Sequence, residues 1–219
     1  MGEEIDLLVE YPKTKRDLLK RLASKTEESR RIARQFGKEF FDGDRQNGYG
    51  GFSYQPRFWK PVVPYFQKRY NLTAKSSVLD IGCAKGFMLY DFIQAIPNMP
   101  IRGVDISEYA IQNSHSEVRD YLSVADAREL PFEDSSFDLV ISINTIHNLE
   151  GEDLKRSLKE ISRISKKNAF IVNDAYRNEQ EKESMFSWNL TAKTILHVEE
   201  WKQLFREVGY DGDYYWFIP

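Results

Sequence analysis

The chain contains little that would cross-link it or give it a strong overall charge. Its single cysteine, Cys83, cannot form a disulfide within the chain, which fits a reducing compartment. The 31 lysines and arginines nearly balance the 34 aspartates and glutamates, for a formal net charge of −3. That balance provides no general attraction to nucleic acid. A chain of 219 residues can nevertheless bury a sizeable core without covalent cross-links.

Long apolar runs are also missing. No stretch approaches the roughly 20 apolar residues that are needed to span a bilayer. The first residues, Met1 to Asp6, are acidic and lack the pattern of a signal peptide. We therefore expect a soluble cytoplasmic protein without a membrane partner.

The most informative segment runs from Val78 to Phe87 and has the sequence VLDIGCAKGF. Its first residues are apolar, as in a strand buried on both faces of a parallel sheet, and its glycines permit a tight turn into a helix. Gly82 and Gly86 are four residues apart, so the dinucleotide fingerprint G-x-G-x-x-G is not met. Asp80 would repel a pyrophosphate but suits a cofactor with an ammonium group, such as S-adenosylmethionine.

Two further acids follow the next predicted strands. Asp105 ends the second predicted strand, and Asp126 ends the third. A carboxylate after the second strand can bind both hydroxyls of a ribose, and one after the third can accept a hydrogen bond from an adenine amino group. Because parallel strands end at the same edge of the sheet, where open α/β folds bind ligands, we expect all three acids at one site.

These motifs resemble those of the class I S-adenosylmethionine-dependent methyltransferases, with a type 11-like core, over roughly residues 76–172. The pieces Leu130-Pro131-Phe132 and Phe137-Asp138-Leu139-Val140 are similar to the segment that follows the adenine-binding acid in that family. The family often has a second glycine where this chain has Ala84. The resemblance implies S-adenosylmethionine as the cofactor. The cofactor-binding residues that it implies are Asp80, Gly82, Cys83, Ala84, Gly86, Asp105, Ile106, Asp126, Ala127 and Asn144.

The alternation of apolar runs and helical patterns predicts an α/β fold with a doubly wound, mostly parallel, Rossmann-like sheet. Strands are expected near residues 77–81, 101–105, 121–125, 137–143, 168–173 and 214–218. A seventh strand is either missing or contributed by residues 174–197, so the sheet has six or seven strands. We expect one cofactor-binding core over residues 71–219, preceded over residues 1–70 by a helical extension and a lid.

Residues 13–41 are rich in lysine, arginine and glutamate, with apolar residues at helical spacing. This pattern predicts one or two amphipathic helices ahead of the core. Nearby glutamates dilute the basic run at residues 30–34, so a solvated helix face is favoured over a nucleic-acid patch. Pro56 predicts the entry to a further helix over residues 58–70, and another helix is expected over residues 107–119.

Residues 42–55 contain four glycines among aromatic and polar side chains. An ordinary surface linker is one interpretation. A lid that closes over cofactor and substrate is favoured, because linkers seldom carry several aromatic residues together, here Tyr49, Phe52 and Tyr54. Tyr49 and Tyr54 are therefore candidates for contact with the substrate.

Methyl transfer is an in-line displacement, so the protein mainly positions the acceptor and removes its water, and a base helps where the acceptor carries a proton. After the fourth strand, His147 is the candidate catalytic base, although a packing role is the plainer interpretation. After the fifth, Asp174 and Tyr176 are candidates for substrate contact, and Trp188 is a candidate pocket wall. No acid follows the fourth strand to complete an oxygen site, so no metal is expected.

The leading functional prediction is a methyltransferase that acts on the oxygen, nitrogen or carbon atom of a small molecule beneath a closing lid. The compact size of the chain and its lack of a separate recognition domain favour a small acceptor. The alternatives are methylation of a peptide or protein side chain, and a regulatory protein that binds the cofactor without catalysis. We expect no nucleic-acid partner and either a monomer or a homodimer.

Overall fold

The computed structural model describes residues 2–12, 26–48 and 53–219. Within these residues, one sheet contains seven strands. They are β1 (Val78–Ile81), β2 (Ile101–Asp105), β3 (Leu122–Val124), β4 (Phe137–Ile143), β5 (Ser165–Tyr176), β6 (Leu196–His197) and β7 (Asp213–Phe217). The order is β3-β2-β1-β4-β5-β6, with β7 also paired to β5, and each of these pairings is parallel. The predicted Rossmann-like α/β sheet is thus confirmed.

Strand β5 is long enough to serve two neighbours on one side. Its residues 170–174 pair with β7, and residues 175–176 pair with β6. Because β6 comes from residues 174–197, the second of the two alternatives for the seventh strand is correct. Much of the remaining segment is helical, and the side chain of Asn178 caps that helix by accepting a hydrogen bond from the Glu181 N–H.

The helices lie before and between the strands. They are α1 (Glu27–Ala33), α2 (Lys38–Phe41), α3 (Pro56–Trp59), α4 (Val63–Tyr70), α5 (Phe87–Ala95), α6 (Glu108–Gln112), α7 (Gly151–Ile164), α8 (Glu179–Trp188) and α9 (Val198–Val208). Of the helices in the part of the chain that the structure describes, none combines the length and apolar character needed to cross a membrane.

Two predicted helices differ in extent from those observed. The helix expected over residues 58–70 is divided into α3 and α4 around Pro61, whose nitrogen has no hydrogen to donate to a helix carbonyl. The helix expected over residues 107–119 ends at Gln112. Shortly afterwards the His115 N–H donates to the Lys85 carbonyl at 2.9 Å, so this backbone serves the turn after β1 instead of continuing the helix.

Apolar residues pack on both faces of the sheet. On one face, α7 and α9 contribute Leu158, Trp201 and Phe205 to a buried cluster. On the other, Phe66 of α4 packs edge-on against Phe170 of β5, with ring centroids 5.1 Å apart, and also contacts Phe92 of α5. The last helix of the predicted N-terminal extension therefore shares its apolar core with the sheet.

The first residues of the chain lie along β7. The Ile5 N–H donates to the Tyr214 carbonyl at 2.9 Å, and the Tyr214 N–H donates to the Glu3 carbonyl at 3.0 Å. The Asp213 side chain strengthens this contact by accepting hydrogen bonds from the Glu3 N–H and from the guanidinium of Arg69, both at 2.9 Å. The last strand is thus covered by a segment from the other end of the sequence, which blunts an edge that could pair with another chain.

Candidate active site

The carboxyl ends of the central strands, and the turns that follow them, form one wall of a cavity of about 960 Å³. Ligand pockets typically measure ~300–1,000 Å³, so this cavity has room for a nucleoside cofactor and a small acceptor. The candidate cofactor residues that line it are Gly82, Ala84, Asp105, Ile106, Asp126, Ala127 and Asn144. A smaller cavity of about 160 Å³ adjoins it at Gly82 and Ala84, and Asp80 and Cys83 line that one.

Asp80 lies in β1 with its carboxyl group buried. Among the described residues, none donates a hydrogen bond to this group. Burial raises the pKa of Asp80 to about 7, with a contribution from the neighbouring charge of Asp105. A buried carboxylate that lacks donors is stabilised by a nearby cation. The surroundings of Asp80 therefore fit the ammonium group of an amino-acid moiety.

Asp105, at the end of β2, connects two turns. Its carboxylate accepts hydrogen bonds from the backbone N–H groups of Ala84 and Ser107, each at 2.8 Å. Burial raises the pKa of Asp105, while these backbone hydrogen bonds work in the opposite direction. Each carboxylate oxygen can accept a second hydrogen bond, so the group fits the two neighbouring hydroxyls of a ribose.

The turn after β1 has a left-handed backbone at Gly82 (φ 81°), Ala84 (φ 49°) and Gly86 (φ 75°). A Cβ atom on Gly82 would collide with the Thr145 side chain in the turn after β4. A Cβ atom on Gly86 would meet two apolar side chains near β3 at 2.8 Å, and Gly86 lines neither cavity. Gly86 thus lets α5 begin close to the sheet, and its place among the cofactor-binding residues stays a prediction.

Ala84 stands where the family that the sequence resembles often has a second glycine. Its φ of 49° lies in the region that favours glycine, and its N–H is the donor to Asp105. The alanine therefore adopts a backbone that a glycine would adopt with less strain.

Asp126 follows β3, and the guanidinium of Arg128 binds its carboxylate. The Nε of Arg128 lies 2.9 Å from each carboxylate oxygen of Asp126, and the same guanidinium reaches Asp153 at 2.7 Å. The hydrogen bonds from Arg128 lower the pKa of Asp126. Asp126 is therefore ionised at neutral pH, and its remaining lone pairs can accept a hydrogen bond from an adenine amino group.

His147 lines the large cavity and is buried. Its Nδ1 accepts a hydrogen bond from the Asp174 N–H at 3.1 Å and lies 3.4 Å from the Asp174 carboxylate. Burial lowers the pKa of His147 to about 3, while a backbone hydrogen bond with Asn144 opposes the shift. The imidazole ring is therefore neutral at physiological pH. Its unprotonated nitrogen, Nδ1, already accepts a hydrogen bond from the Asp174 N–H, so it is not free to take a proton from an acceptor. The role of His147 as a catalytic base stays a prediction.

The candidate substrate residues are divided by the structure. Asp174 and Trp188 line the large cavity together with His147. Tyr54 lies elsewhere: its hydroxyl donates to Asp91 of α5 at 2.6 Å, and its ring packs against Tyr90. The Tyr176 ring packs against other side chains outside the cavity, and Tyr49 lies outside the described residues.

Residues 26–48, here called the cap, cover the cavity through contacts that the sequence did not indicate. Asp42 accepts a hydrogen bond from the buried ammonium of Lys85 at 2.5 Å and another from the Tyr109 hydroxyl at 2.7 Å. The Ser107 hydroxyl donates to the Phe36 carbonyl at 2.5 Å. Lys85 belongs to the turn after β1, and Ser107 and Tyr109 belong to the start of α6, so the cap is fastened directly to the candidate cofactor site.

The wall that faces the strand ends, here called the cap wall, consists of the cavity-lining residues within 8–12, 34–45 and 57–59. Its aromatic residues are Tyr11, Phe36, Phe40, Phe41, Phe58 and Trp59. Arg34, Arg45 and Arg57 lie among them. The basic run at residues 30–34 predicted a solvated helix face for Arg34. Helical spacing alone could not show that this residue, next to the end of α1, lines a cavity.

Comparison with known proteins finds similarity over the central part of the chain. Residues 79–173 match a family described as "Methyltransferase domain". The chain is 32% identical over 145 residues to a tRNA (carboxymethyluridine(34)-5-O)-methyltransferase of Arabidopsis thaliana, covering 65% of this chain and 33% of that protein. It is 29% identical over 134 residues to a demethylmenaquinone methyltransferase of Staphylococcus saprophyticus, covering 59% of this chain and 55% of the relative.

Another relative is named for different chemistry. An arginine-hydroxylase of Mus musculus, NDUFAF5, is 33% identical over 95 residues, which is 43% of this chain and 27% of that protein. The chain thus spans between about a quarter and just over half of the length of these relatives. Among solved structures, the YcgJ protein from Bacillus subtilis superposes with a TM-score of 0.56 at 18% identity, covering 67% of this chain and 66% of that one. This similarity supports the fold alone.

Proposed function

We propose that this protein transfers a methyl group from S-adenosylmethionine to a small-molecule acceptor beneath the cap, because residues 79–173 match a family described as "Methyltransferase domain". One observation carries the proposal. Asp80, Asp105 and Asp126 lie at the ends of three neighbouring strands, beside a cavity that is large enough for both molecules.

The three acids have different roles in this proposal. Asp80 binds the ammonium group of the cofactor, Asp105 binds the ribose hydroxyls and Asp126 accepts a hydrogen bond from the adenine amino group. The bound cofactor supplies an activated methyl group on a sulfonium. The protein therefore needs to add little chemistry beyond orientation and the exclusion of water.

The residues after β4 and β5 face the acceptor in this proposal. Asp174 orients a hydroxyl or amine of the acceptor, and Trp188 forms an apolar side of its pocket. His147 is held neutral with Nδ1 against the Asp174 N–H. That geometry favours a positioning role for His147, which fixes the backbone of Asp174, over removal of a proton from the acceptor.

Calorimetric titration with S-adenosylmethionine tests the premise of the proposal, which is that the protein binds this cofactor. We expect binding to the wild type. An Asp105→Asn variant should bind about 10-fold more weakly or worse, because hydrogen bonds to a charged group contribute about 1.5–3 kcal/mol. Asp120→Asn, at an exposed position, is the matched control and should bind like the wild type.

Absence of binding to the wild type would refute the proposal. Equal affinity of the Asp105→Asn variant would show that the ribose lies elsewhere. Release of S-adenosylhomocysteine in the presence of candidate acceptors then separates an enzyme from a protein that only binds the cofactor.

A second candidate acceptor is a nucleoside within RNA. The observation that favours it is the similarity to a tRNA methyltransferase, although the chain corresponds to a third of that protein's length. Incubation with tritiated S-adenosylmethionine and total tRNA, compared with a pool of small metabolites, separates the two acceptors by the fraction that retains the label.

A further inference from the structure

The charged residues that line the large cavity are unevenly distributed. The acidic ones, among the described residues, are Asp105, Asp126, Glu150, Asp153 and Asp174. All five come from the strand ends and the segments that follow them. The basic ones are Arg34, Arg45, Arg57, Arg128 and Lys193. The first three belong to the cap wall, so this side of the cavity carries positive charge opposite an acidic floor.

The cations on the strand side are already paired. Arg128 binds both Asp126 and Asp153, and Lys193 lies 3.5 Å from Glu150. The cations of the cap wall differ. Within residues 2–12, 26–48 and 53–219, no carboxylate lies within ion-pair distance of Arg34, Arg45 or Arg57.

The arginines within helix α1 are ion-paired, in contrast to Arg34. Arg30 and Arg31 each bind a glutamate one turn earlier in the helix, at 2.8 and 2.6 Å. Arg34, directly after the helix, has no acid one turn earlier. Its Nε instead donates to the Thr191 carbonyl at 3.4 Å, and both residues line the cavity, so the guanidinium is held beside it.

Aromatic rings line the cap wall together with the three arginines. Tyr11 packs against Phe58 and Trp59, with ring centroids 5.3 and 4.9 Å apart, and the guanidinium of Arg57 lies 5.0 Å from the centre of the Phe58 ring. Phe36 and Phe40 pack edge to face at 5.4 Å. Aromatic side chains combined with guanidinium groups bind flat molecules that carry carboxylate or phosphate groups, because the rings contact the apolar part and arginine binds the anion.

We propose that the acceptor is an aromatic molecule bearing a carboxylate or phosphate group, which Arg34, Arg45 and Arg57 hold against the rings of the cap wall. This inference rests on the proposed methyltransferase function and specifies its substrate class. The acidic floor holds the positively charged cofactor and the basic cap wall holds the acceptor. The charge of the cavity thereby orients two ligands of opposite sign.

Two fluorescent probes test the charge requirement. 8-Anilinonaphthalene-1-sulfonate is an aromatic anion, and N-phenyl-1-naphthylamine is its neutral counterpart. Each is titrated into the full chain at saturating S-adenosylhomocysteine. We expect the anion to bind at least ten-fold more tightly and to be displaced by trans-cinnamate or phenyl phosphate; the more effective competitor identifies the preferred anion. Equal affinity for both probes, or displacement by neither competitor, overturns the inference.

Variants locate the effect. Replacing Arg34, Arg45 and Arg57 together by glutamine should weaken binding of the anionic probe roughly ten-fold, since an exposed ion pair contributes about two-fold in affinity. Binding of the neutral probe should not change. Arg31→Gln removes an arginine of α1 that lies one turn before Arg34 and outside the cavity lining, and is the control that should leave both probes unaffected. An unchanged affinity of the triple variant for the anion overturns the inference.

Three further readouts separate the explanations. Thermal unfolding of the triple variant confirms that it folds. If calorimetry detects no S-adenosylmethionine binding in any protein, the proposed function fails; if cofactor binding is intact while the probes are not discriminated, only the substrate class fails. Displacement of the anionic probe by tRNA at concentrations where neither small anion displaces it would also overturn the inference, in favour of RNA.

Discussion

Replacement of Asp80 by asparagine should stabilise the protein in the absence of cofactor. The pKa of Asp80 rises from 3.8 to about 7 on folding, chiefly because its carboxyl group is buried. At about 1.4 kcal/mol per pH unit, keeping this group ionised in the native state costs roughly 4 kcal/mol above pH 7. Asparagine has nearly the same shape and carries no charge. The variant therefore avoids that cost.

The pH dependence gives the sharper test. Between pH 3.8 and about 7 the native protein holds the Asp80 proton and the unfolded chain has lost it, so this group's contribution to stability falls as the pH rises. The stability difference between Asp80→Asn and wild type should widen by about 2.7 kcal/mol from pH 5 to pH 8. His147 acts in the opposite direction, because its depressed pKa makes stability rise with pH between about 3 and 6.5. The difference between the two proteins isolates Asp80.

Urea unfolding at pH 5, 6, 7 and 8, with Asp120→Asn as the exposed control, measures this difference. The same Asp80→Asn variant should bind S-adenosylmethionine more weakly, because the partner of the ammonium group has lost its charge. A stability difference that stays constant from pH 5 to pH 8 would refute the reasoning. It would mean that the native carboxyl titrates as in the unfolded chain and that the pocket does not hold an unsatisfied acid.

Three further predictions concern the surroundings of the site. Ala84→Gly should raise the free energy of unfolding by about 0.5–1 kcal/mol in urea, because a left-handed backbone strains alanine; a loss of stability would contradict this. Asp42→Asn should lower it by about 1–3 kcal/mol, since the charge opposite the buried Lys85 is removed from a partly exposed partner, and should speed cofactor dissociation in stopped flow. Unchanged dissociation would mean that the cap does not retain the cofactor. His147→Gln should reduce kcat without changing the shape of its pH profile if His147 positions Asp174, whereas loss of a titrating limb would assign it as the base.

The sequence predicted the strand-end acids because each belongs to a short local pattern. Asp80 and Asp105 follow apolar runs, and a parallel sheet brings the ends of such runs to the same edge. Asp126 was placed by the same rule, but its pairing with Arg128 was not predicted, although the two residues are only two positions apart. The spacing of residues in the sequence predicts where a carboxylate lies, but it does not predict which group donates a hydrogen bond to it.

Features that depend on distant pairs could not be predicted. Asp42 and Lys85 are 43 residues apart, and Arg34 and Thr191 are 157 apart, so no periodicity links them. Tyr54 was assigned to a substrate pocket because aromatic residues in a glycine-rich segment suggest a lid. In the structure, the Tyr54 hydroxyl instead donates a hydrogen bond to the carboxylate of Asp91 on α5. A pattern within residues 42–55 cannot reveal this partner.

The pairing of residues 3–5 with Tyr214 has a consequence for the way the molecule is completed. The hydrogen bond from the Glu3 N–H to Asp213 joins residues 210 positions apart. During synthesis, residues 3–5 can pair with Tyr214 only after residue 214 has been made. Residues 8–12 of the cap wall follow that segment directly, so the position of this part of the acceptor side depends on β7.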